Sequence, residues 1–201
     1  MNVTFLAANT YSSGASVNLV GSNQNVVAWA ICLAGSAPTA PTYNGASFTS
    51  LGQISSVYGA SFWLFYLPNP ASGTNTLSLG GASEIILYTF SGQSLAAPYD
   101  TTSIVLSAAT LINNITPTVN SGLILCGAVN GSGSSAMSAG SGQSYIQYAL
   151  TGIFGVQSTS GSGVSVSTSW TPGSYNFSPR STFSISLAPP ISSNALFFAG
   201  D

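Results

Sequence analysis

The chain has 201 residues, of which 45% are hydrophobic and 2% are charged, and its formal net charge is −2. Ordinary soluble domains are about 25% charged. With one Arg, three acidic residues, no His and no Lys, the sequence lacks the acid, base and cationic groups of most active sites. A single cation also excludes nucleic-acid binding through phosphate contacts.

Short segments rich in apolar and β-branched residues recur along the whole chain, and none shows the 3.6-residue period of an amphipathic helix. The pattern predicts an all-β fold, an antiparallel β-sandwich of about a dozen short strands with essentially no helix. In chain order, strands are expected at residues 3–8, 16–20, 25–34, 47–54, 61–67, 74–79, 84–91, 103–107, 111–119, 123–130, 145–150, 163–170 and 181–188.

The apolar patterns of these strands differ. Segments 26–34, 62–67 and 123–126 are apolar on both faces, which indicates central strands covered on both sides or strands facing a neighbouring subunit. Segments 76–79 and 182–187 alternate, as is typical of strands with one face in solvent. The longest apolar stretch is about half of what a bilayer span requires, so no membrane insertion is expected.

The chain shows no recognisable sequence repeat and no firm domain boundary, so residues 1–190 are interpreted as a single β-sandwich domain. The Gly- and Ser-rich segments 130–142 and 158–163 are expected to be flexible loops. Pro189 and Pro190 end the last strand, and the apolar residues Leu196, Phe197 and Phe198 follow. Residues 191–201 are therefore expected to form either a final strand or an arm that docks on a neighbouring protein.

Two cysteines, Cys32 and Cys126, each lie inside an apolar segment. Because free Cys is often fully buried, we interpret them as inert core thiols. A disulfide that closes a long loop is the alternative.

The four charged residues favour structural roles over catalysis. Glu84 and Asp100 are the only internal carboxylate pair that could serve glycoside hydrolysis, but Glu84 begins a strand and Asp100 lies in a turn that its side chain could cap. Arg180 precedes the last strand, and we expect either a salt bridge, with Glu84 or Asp100 as its partner, or a set of hydrogen bonds to carbonyls at the base of a loop. No metal, cofactor or catalytic residue is predicted, because His and Lys are absent and two Cys cannot complete a zinc site.

Exposed aromatic rings could stack on neutral sugars without help from charge. Trp29 and Trp63 lie in strongly apolar strands and are predicted to be core residues. Two residues are favoured for glycan stacking, Trp170 and Tyr175, because they flank Pro172 and Gly173 in an expected loop. The full set of aromatic candidates is Trp63, Tyr66, Tyr99, Tyr145, Tyr148, Trp170 and Tyr175.

Five segments carry a resemblance to a known kind of module: 41–45 (PTYNG), 61–67 (SFWLFYL), 72–77 (SGTNTL), 88–92 (YTFSG) and 98–100 (PYD). Together they resemble a β-sandwich module of phage virion proteins, and they are also similar to modules of bacterial surface proteins. The resemblance covers about half of the chain and consists of strand and turn motifs. It implies a jelly-roll-like sandwich used for attachment or for decorating a particle, and it carries over no catalytic residue.

The composition and the resemblance together predict a non-enzymatic capsid decoration or cement protein at the virion surface, assembled in the host cytoplasm. Its expected partners are the major capsid protein, other virion proteins and further copies of itself, with a homotrimer favoured. The alternative is a tail-fibre, spike or surface adhesin domain, located outside the cell or on its surface, that binds host glycans.

Overall fold

We describe a computed structural model of the protein for residues 2–12, 14–19, 25–57, 60–106, 110–120, 122–130, 137–149, 152–159, 161–172 and 180–190. These residues form seventeen strands and no helix, and all their strand pairs are antiparallel, so the predicted antiparallel all-β fold is confirmed. The strands are β1 (Thr4–Tyr11), β2 (Ala15–Leu19), β3 (Val27–Ala34), β4 (Thr42–Tyr43), β5 (Ala46–Ser47), β6 (Thr49–Val57), β7 (Ala60–Pro68), β8 (Gly73–Ser78), β9 (Glu84–Ser91), β10 (Tyr99–Val105), β11 (Ile112–Ile115), β12 (Leu123–Asn130), β13 (Met137–Ala139), β14 (Gln143–Ala149), β15 (Gly152–Ser158), β16 (Val166–Pro172) and β17 (Arg180–Leu187).

The strands form four sheets that stack as layers. The first inner sheet has the order β1-β9-β3-β7-β6, and the second inner sheet has the order β10-β17-β12-β15-β14. The two inner sheets enclose the central core. The first outer sheet, β2-β8-β4-β5, covers the other face of the first inner sheet, and the second outer sheet, β11-β16-β13, covers that of the second.

This layering explains the strands that are apolar on both faces. Every residue of β3 is buried: Trp29 and Ile31 face the central core, while Ala28 and Cys32 face the core under the first outer sheet. Strand β12 is likewise covered on both sides. The predicted two-sided burial is therefore confirmed, and sheets of the same chain supply the cover.

The strand order repeats between the two halves of the chain. Replacing β1, β9, β3, β7 and β6 by β10, β17, β12, β15 and β14 converts the first inner sheet into the second. The same substitution relates β2-β8-β4 to β11-β16-β13 in the outer sheets. A repeat that the sequence does not reveal is therefore present in the topology.

Several strands differ from the predicted ones. Strand β15, the β4 to β5 hairpin and β13 were not expected. Part of the predicted loop 130–142 is strand β13, which pairs with β16. Its residue Met137 is buried in the second outer core, the apolar cluster between the second inner sheet and the second outer sheet. Residues 131–136 of that loop lie outside the described residues.

The prediction that one face of segment 182–187 lies in solvent is also wrong. Thr182, Ser184 and Ser186 point toward the second outer sheet and are buried. Two of these hydroxyls are bonded within that layer: Ser184 Oγ lies 2.8 Å from Thr168 Oγ1, and Asn113 Nδ2 donates to Thr182 Oγ1 over 3.3 Å. Polar and apolar residues alternate in this segment because the polar ones form hydrogen bonds between the second inner and second outer sheets, while the apolar ones face the central core.

Both cysteines are free thiols, as the favoured interpretation predicted. Cys32 lies under the first outer sheet and Cys126 under the second, so the two inner sheets separate them. Burial raises the pKa of both thiols, which keeps them protonated and unreactive.

Candidate functional site

Asp100 is a structural carboxylate near the start of β10. Its Oδ2 accepts hydrogen bonds from the backbone N–H of Thr118 over 2.6 Å and of Val119 over 3.2 Å, and its Oδ1 accepts one from the Thr118 hydroxyl. The side chain therefore caps the segment that follows β11, rather than a turn of its own. Charge-assisted bonds of this kind fix the path of a loop.

Arg180 begins β17, and the strand register separates it from Asp100. Tyr99 pairs with Leu187 at the opposite end of β17. Because a strand rises roughly 3.3 Å per residue, Asp100 and Arg180 lie about 20 Å apart. The expected ion pair between these two residues is therefore wrong.

Glu84 lies at the start of β9, where it pairs with Leu33. Its Oε1 is buried and has no hydrogen-bond partner within the described part of the structure, and burial raises the pKa of the carboxyl group. A guanidinium in contact would lower this pKa instead, which argues against an ion pair with Arg180.

The two internal carboxylates are not arranged for glycoside hydrolysis. Glu84 begins β9, whereas Asp100 follows the connection that leaves the other end of this strand. Tyr99, the neighbour of Asp100, packs against Trp29, and Trp29 pairs with Tyr88, four residues beyond Glu84 in β9. At roughly 3.3 Å per residue, Glu84 is more than about 10 Å from Asp100, which exceeds the separations of both hydrolytic mechanisms. Among the residues that the structure describes, no cluster of three His, Cys, Asp or Glu side chains could hold a metal ion.

Substitution of Glu84 by Gln should raise the melting temperature at pH 7. A carboxyl whose pKa is raised on folding favours the native state fully below its unfolded pKa of 4.5, and this contribution is lost as the pH rises through the folded pKa. Glu84→Gln imitates the protonated form, so its melting temperature should match the wild type near pH 3.5 and exceed it at neutral pH. Thermal unfolding followed by circular dichroism across this range measures the difference.

The matched control is Asp100→Asn, also a change from carboxylate to amide. It should lower the melting temperature at pH 7, because an amide oxygen holds the N–H groups of Thr118 and Val119 less strongly than a carboxylate does. Equal stability of Glu84→Gln and the wild type at every pH would contradict the role assigned to burial of Glu84.

Trp170 does not lie in an exposed loop. It belongs to β16, is 3% exposed and packs in the second outer core with Met137 and Ile153. The glycan-stacking prediction for Trp170 is therefore wrong, because no sugar reaches this ring. The alternation of Val166, Thr168 and Trp170, all buried, is the sequence signal that places it in a strand. Tyr175, Leu196, Phe197 and Phe198 lie outside the described residues.

Among the residues that the structure describes, the exposed aromatic side chains are those of Tyr145 and Tyr148, which are 51% and 52% exposed. Both belong to β14, an edge strand of the second inner sheet. Tyr145 has a φ of 54°, which is unusual for a bulky residue, and it lies in a β-bulge between Ser144 and Gln147. Bulges of this kind change the direction in which a side chain points.

The bulge directs the ring of Tyr145 across the seam between the two inner sheets. The ring stacks on Phe5 of β1 with centroids 3.6 Å apart and an interplanar angle of 17°. The Tyr145 carbonyl accepts a hydrogen bond from the Tyr88 hydroxyl over 3.1 Å, and Thr10 Oγ1 donates to Gln147 Oε1 over 3.4 Å. An aromatic ring with one covered face thus stands beside uncharged hydrogen-bonding groups.

Comparisons with known proteins add no assignment. No helix in the described ranges is long and apolar enough to cross a membrane. No protein-family model matches the chain, and no curated protein or solved structure is significantly similar to it.

Proposed function

We propose that the protein is a non-enzymatic structural component of a virion that decorates or cements a capsid. The observation that carries this proposal is that the carboxylates and thiols, which are the groups that could react, have structural environments. Asp100 caps a loop, Glu84 and Asp100 are too far apart for paired chemistry, and both thiols are buried. A surface built from Ser, Thr, Asn, Gln and Gly suits permanent contact with other proteins better than turnover.

The strand order supports a jelly-roll-like architecture for the first half of the chain. If β6 is set aside as an added edge strand, eight strands remain in the first half. Four of them form one sheet in the order β1-β9-β3-β7, and the other four form the second sheet in the order β2-β8-β4-β5. Eight strands in two four-stranded sheets agree with the proposed jelly-roll-like architecture, and jelly rolls occur in viral capsid and lectin domains. Fold alone does not determine function, so the strand order supports the architecture, and the proposed role is argued from the reactive groups and the surface composition.

The proposed partners are the major capsid protein, other virion proteins and further copies of the chain in a homotrimer, on the virion surface. Exposed apolar side chains are available for such contacts where β10 ends and β11 begins: Val105 is 40% exposed, Leu106 47% and Ile112 49%. Because the contacts would involve few charges, the binding free energy should depend weakly on salt.

A salt wash tests this mechanism. Purified particles that carry the protein are sedimented after incubation in low salt and in molar NaCl, and the bound chain is quantified in each pellet. The bound fraction should be unchanged. Release in molar NaCl, under conditions that leave the capsid intact, would reject attachment through uncharged surface.

A second candidate function is attachment to host glycans, as in a tail-fibre, spike or adhesin domain. The observation in its favour is Tyr145, which has a strained backbone in a bulge of an edge strand and an exposed ring, with Tyr148 three residues further along. The ligand would be a neutral saccharide, because no charged side chain belongs to β1 or β14. A glycan array should show saturable binding that Tyr145→Ala abolishes and Val164→Ala retains, and an array without any signal would reject this candidate.

A further inference from the structure

The two halves of the chain share local detail as well as strand order. The residue after β7, Asn69, donates its backbone N–H to the carbonyl of Val26 just before β3, over 2.8 Å. At the equivalent place, Thr159 after β15 donates to the carbonyl of Gly122 just before β12, over 3.0 Å. The β1 to β9 and β10 to β17 pairs both contain a register shift near the start of the first strand. Equivalent hydrogen bonds and register shifts of this kind are expected of two copies of one structural unit.

The register also aligns the faces of equivalent strands. In β3, Val27, Trp29, Ile31 and Leu33 face the central core, and in β12 the corresponding positions include Leu125 and Val129. The opposite faces carry Cys32 in β3 and Cys126 in β12, each toward its own outer sheet. The same face of each unit is therefore turned toward the other unit.

The units face each other in the arrangement that a two-fold axis produces. Strand β6 of the first half lies against β17 of the second half, and the equivalent pair with the halves exchanged, β14 and β9, is also in contact. Equivalent strands also meet directly, since Phe62 of β7 and Phe154 of β15 have ring centroids 5.3 Å apart. Isologous contacts, in which the same patch of two subunits meets itself, have this geometry.

We infer that the chain is a tandem duplication whose two halves pack as the subunits of a two-fold dimer do, and that the facing surface of each inner sheet is self-complementary. The partner that fits this surface is the same half of a second copy of this chain. The surface is large and apolar, and it contains Trp29, Ile31 and Phe62 from the first half and Phe154 and Phe183 from the second.

The connection between the halves is short, and the buried residue Gln93 anchors it. Its Oε1 accepts a hydrogen bond from Trp29 Nε1 over 3.1 Å, its Nε2 donates to the Pro98 carbonyl over 2.7 Å, and its backbone N–H donates to the Asn25 carbonyl over 3.1 Å. Between these anchors, Leu95, Ala96 and Ala97 are exposed. A protease recognition sequence inserted between Leu95 and Ala96 would therefore leave the anchors in place.

The experiment cuts the folded full-length chain at this insertion, unfolds the mixture in denaturant, refolds it by dilution and examines it by native mass spectrometry. The expected result is recovery of the circular dichroism spectrum of the uncut chain, with three paired species: first half with second half, two first halves, and two second halves. Recovery of mixed pairs alone, or loss of folding after the cut, would overturn the inference.

A cut inside one half is the matched control. The turn at Asn44 and Gly45 is also exposed, so an insertion there is equally accessible to protease. Cleavage at this turn should leave the folded chain intact. After denaturation, the pieces should form no pair that contains a complete first half, because the turn lies inside that half. Pairing should occur only through the second half, which the larger piece retains whole. Equal refolding after the two cuts would also overturn the inference, since it would show that the position between the halves is not special.

Discussion

Phe154→Ala should lower the free energy of unfolding by about 4 kcal/mol and the melting temperature by roughly 10 °C. Phe154 is fully buried in the central core, and its ring lies 5.3 Å from that of Phe62 and 6.1 Å from that of Phe183, measured between centroids. Truncation therefore removes an aromatic side chain that joins both inner sheets. Denaturant unfolding followed by tryptophan fluorescence measures the loss.

Tyr148→Ala is the control for this substitution. It deletes a ring of similar size from β14, but the ring is exposed, so the free energy of unfolding should change by less than about 0.5 kcal/mol. A comparable loss of stability in the two variants would contradict the position of the central core between the inner sheets.

Gly127→Ala should destabilise the protein by about 1–3 kcal/mol, although it adds a single methyl group. Gly127 lies in β12, which pairs with β15 on one side and β17 on the other, so its backbone cannot easily move. A Cβ atom at this position would overlap the ring of Phe154 and lie 2.6 Å from Cε1 of Phe183. Both rings are buried and have little space in which to shift.

Two further variants isolate the cause of this effect. Gly14→Ala adds the same methyl group where the nearest atom, the Leu77 carbonyl oxygen, is 3.7 Å away, and it should be neutral or slightly stabilising. Combining Gly127→Ala with Phe183→Leu should cost less than the sum of the single changes, because the smaller side chain leaves room for the methyl group. Additive losses in this double-mutant cycle would show that the ring contact is not the source of the strain.

The sequence predicts the best-defined strands closely. The bounds of β9 and β12 agree with the predicted segments, because each is a continuous apolar run flanked by turn-forming residues. Strand β15 was missed because its seven residues include Gly152 and Gly155, which are unfavourable in strands. The structure explains these glycines, since a Cβ at Gly152 would meet the Phe154 ring and one at Gly155 would meet Ile146.

The candidate site was harder to predict, because exposure depends on which sheet covers a strand. The predicted strand 163–170 ends at Trp170, and its neighbours Pro172 and Gly173 suggested an exposed loop there. Pairing of β16 with β11 and β13 instead places the Trp170 ring under the second outer sheet. Tyr145 was one aromatic residue among many, and its exposure depends on a bulge that local sequence does not specify. The separation of Asp100 from Arg180 could not be predicted either, because it depends on the register between β10 and β17, which the sequence does not specify.

The internal repeat was not recognised because equivalent positions share burial rather than identity. Trp29 and Leu125 both face the central core from the third strand of their half, yet their side chains differ in size and chemistry. Two sequences can keep the same pattern of strands and faces while almost every residue changes, since packing constrains the total volume of a core more than its individual members.

The most direct test of the proposed function is quantitative mass spectrometry of purified virus particles from the source culture, in which copies of this chain are counted against copies of the major capsid protein. A decoration protein should be present in numbers comparable to those of the major capsid protein. A small number of copies per particle would instead identify a fibre or spike, and absence of the chain from particles would contradict a role in the virion.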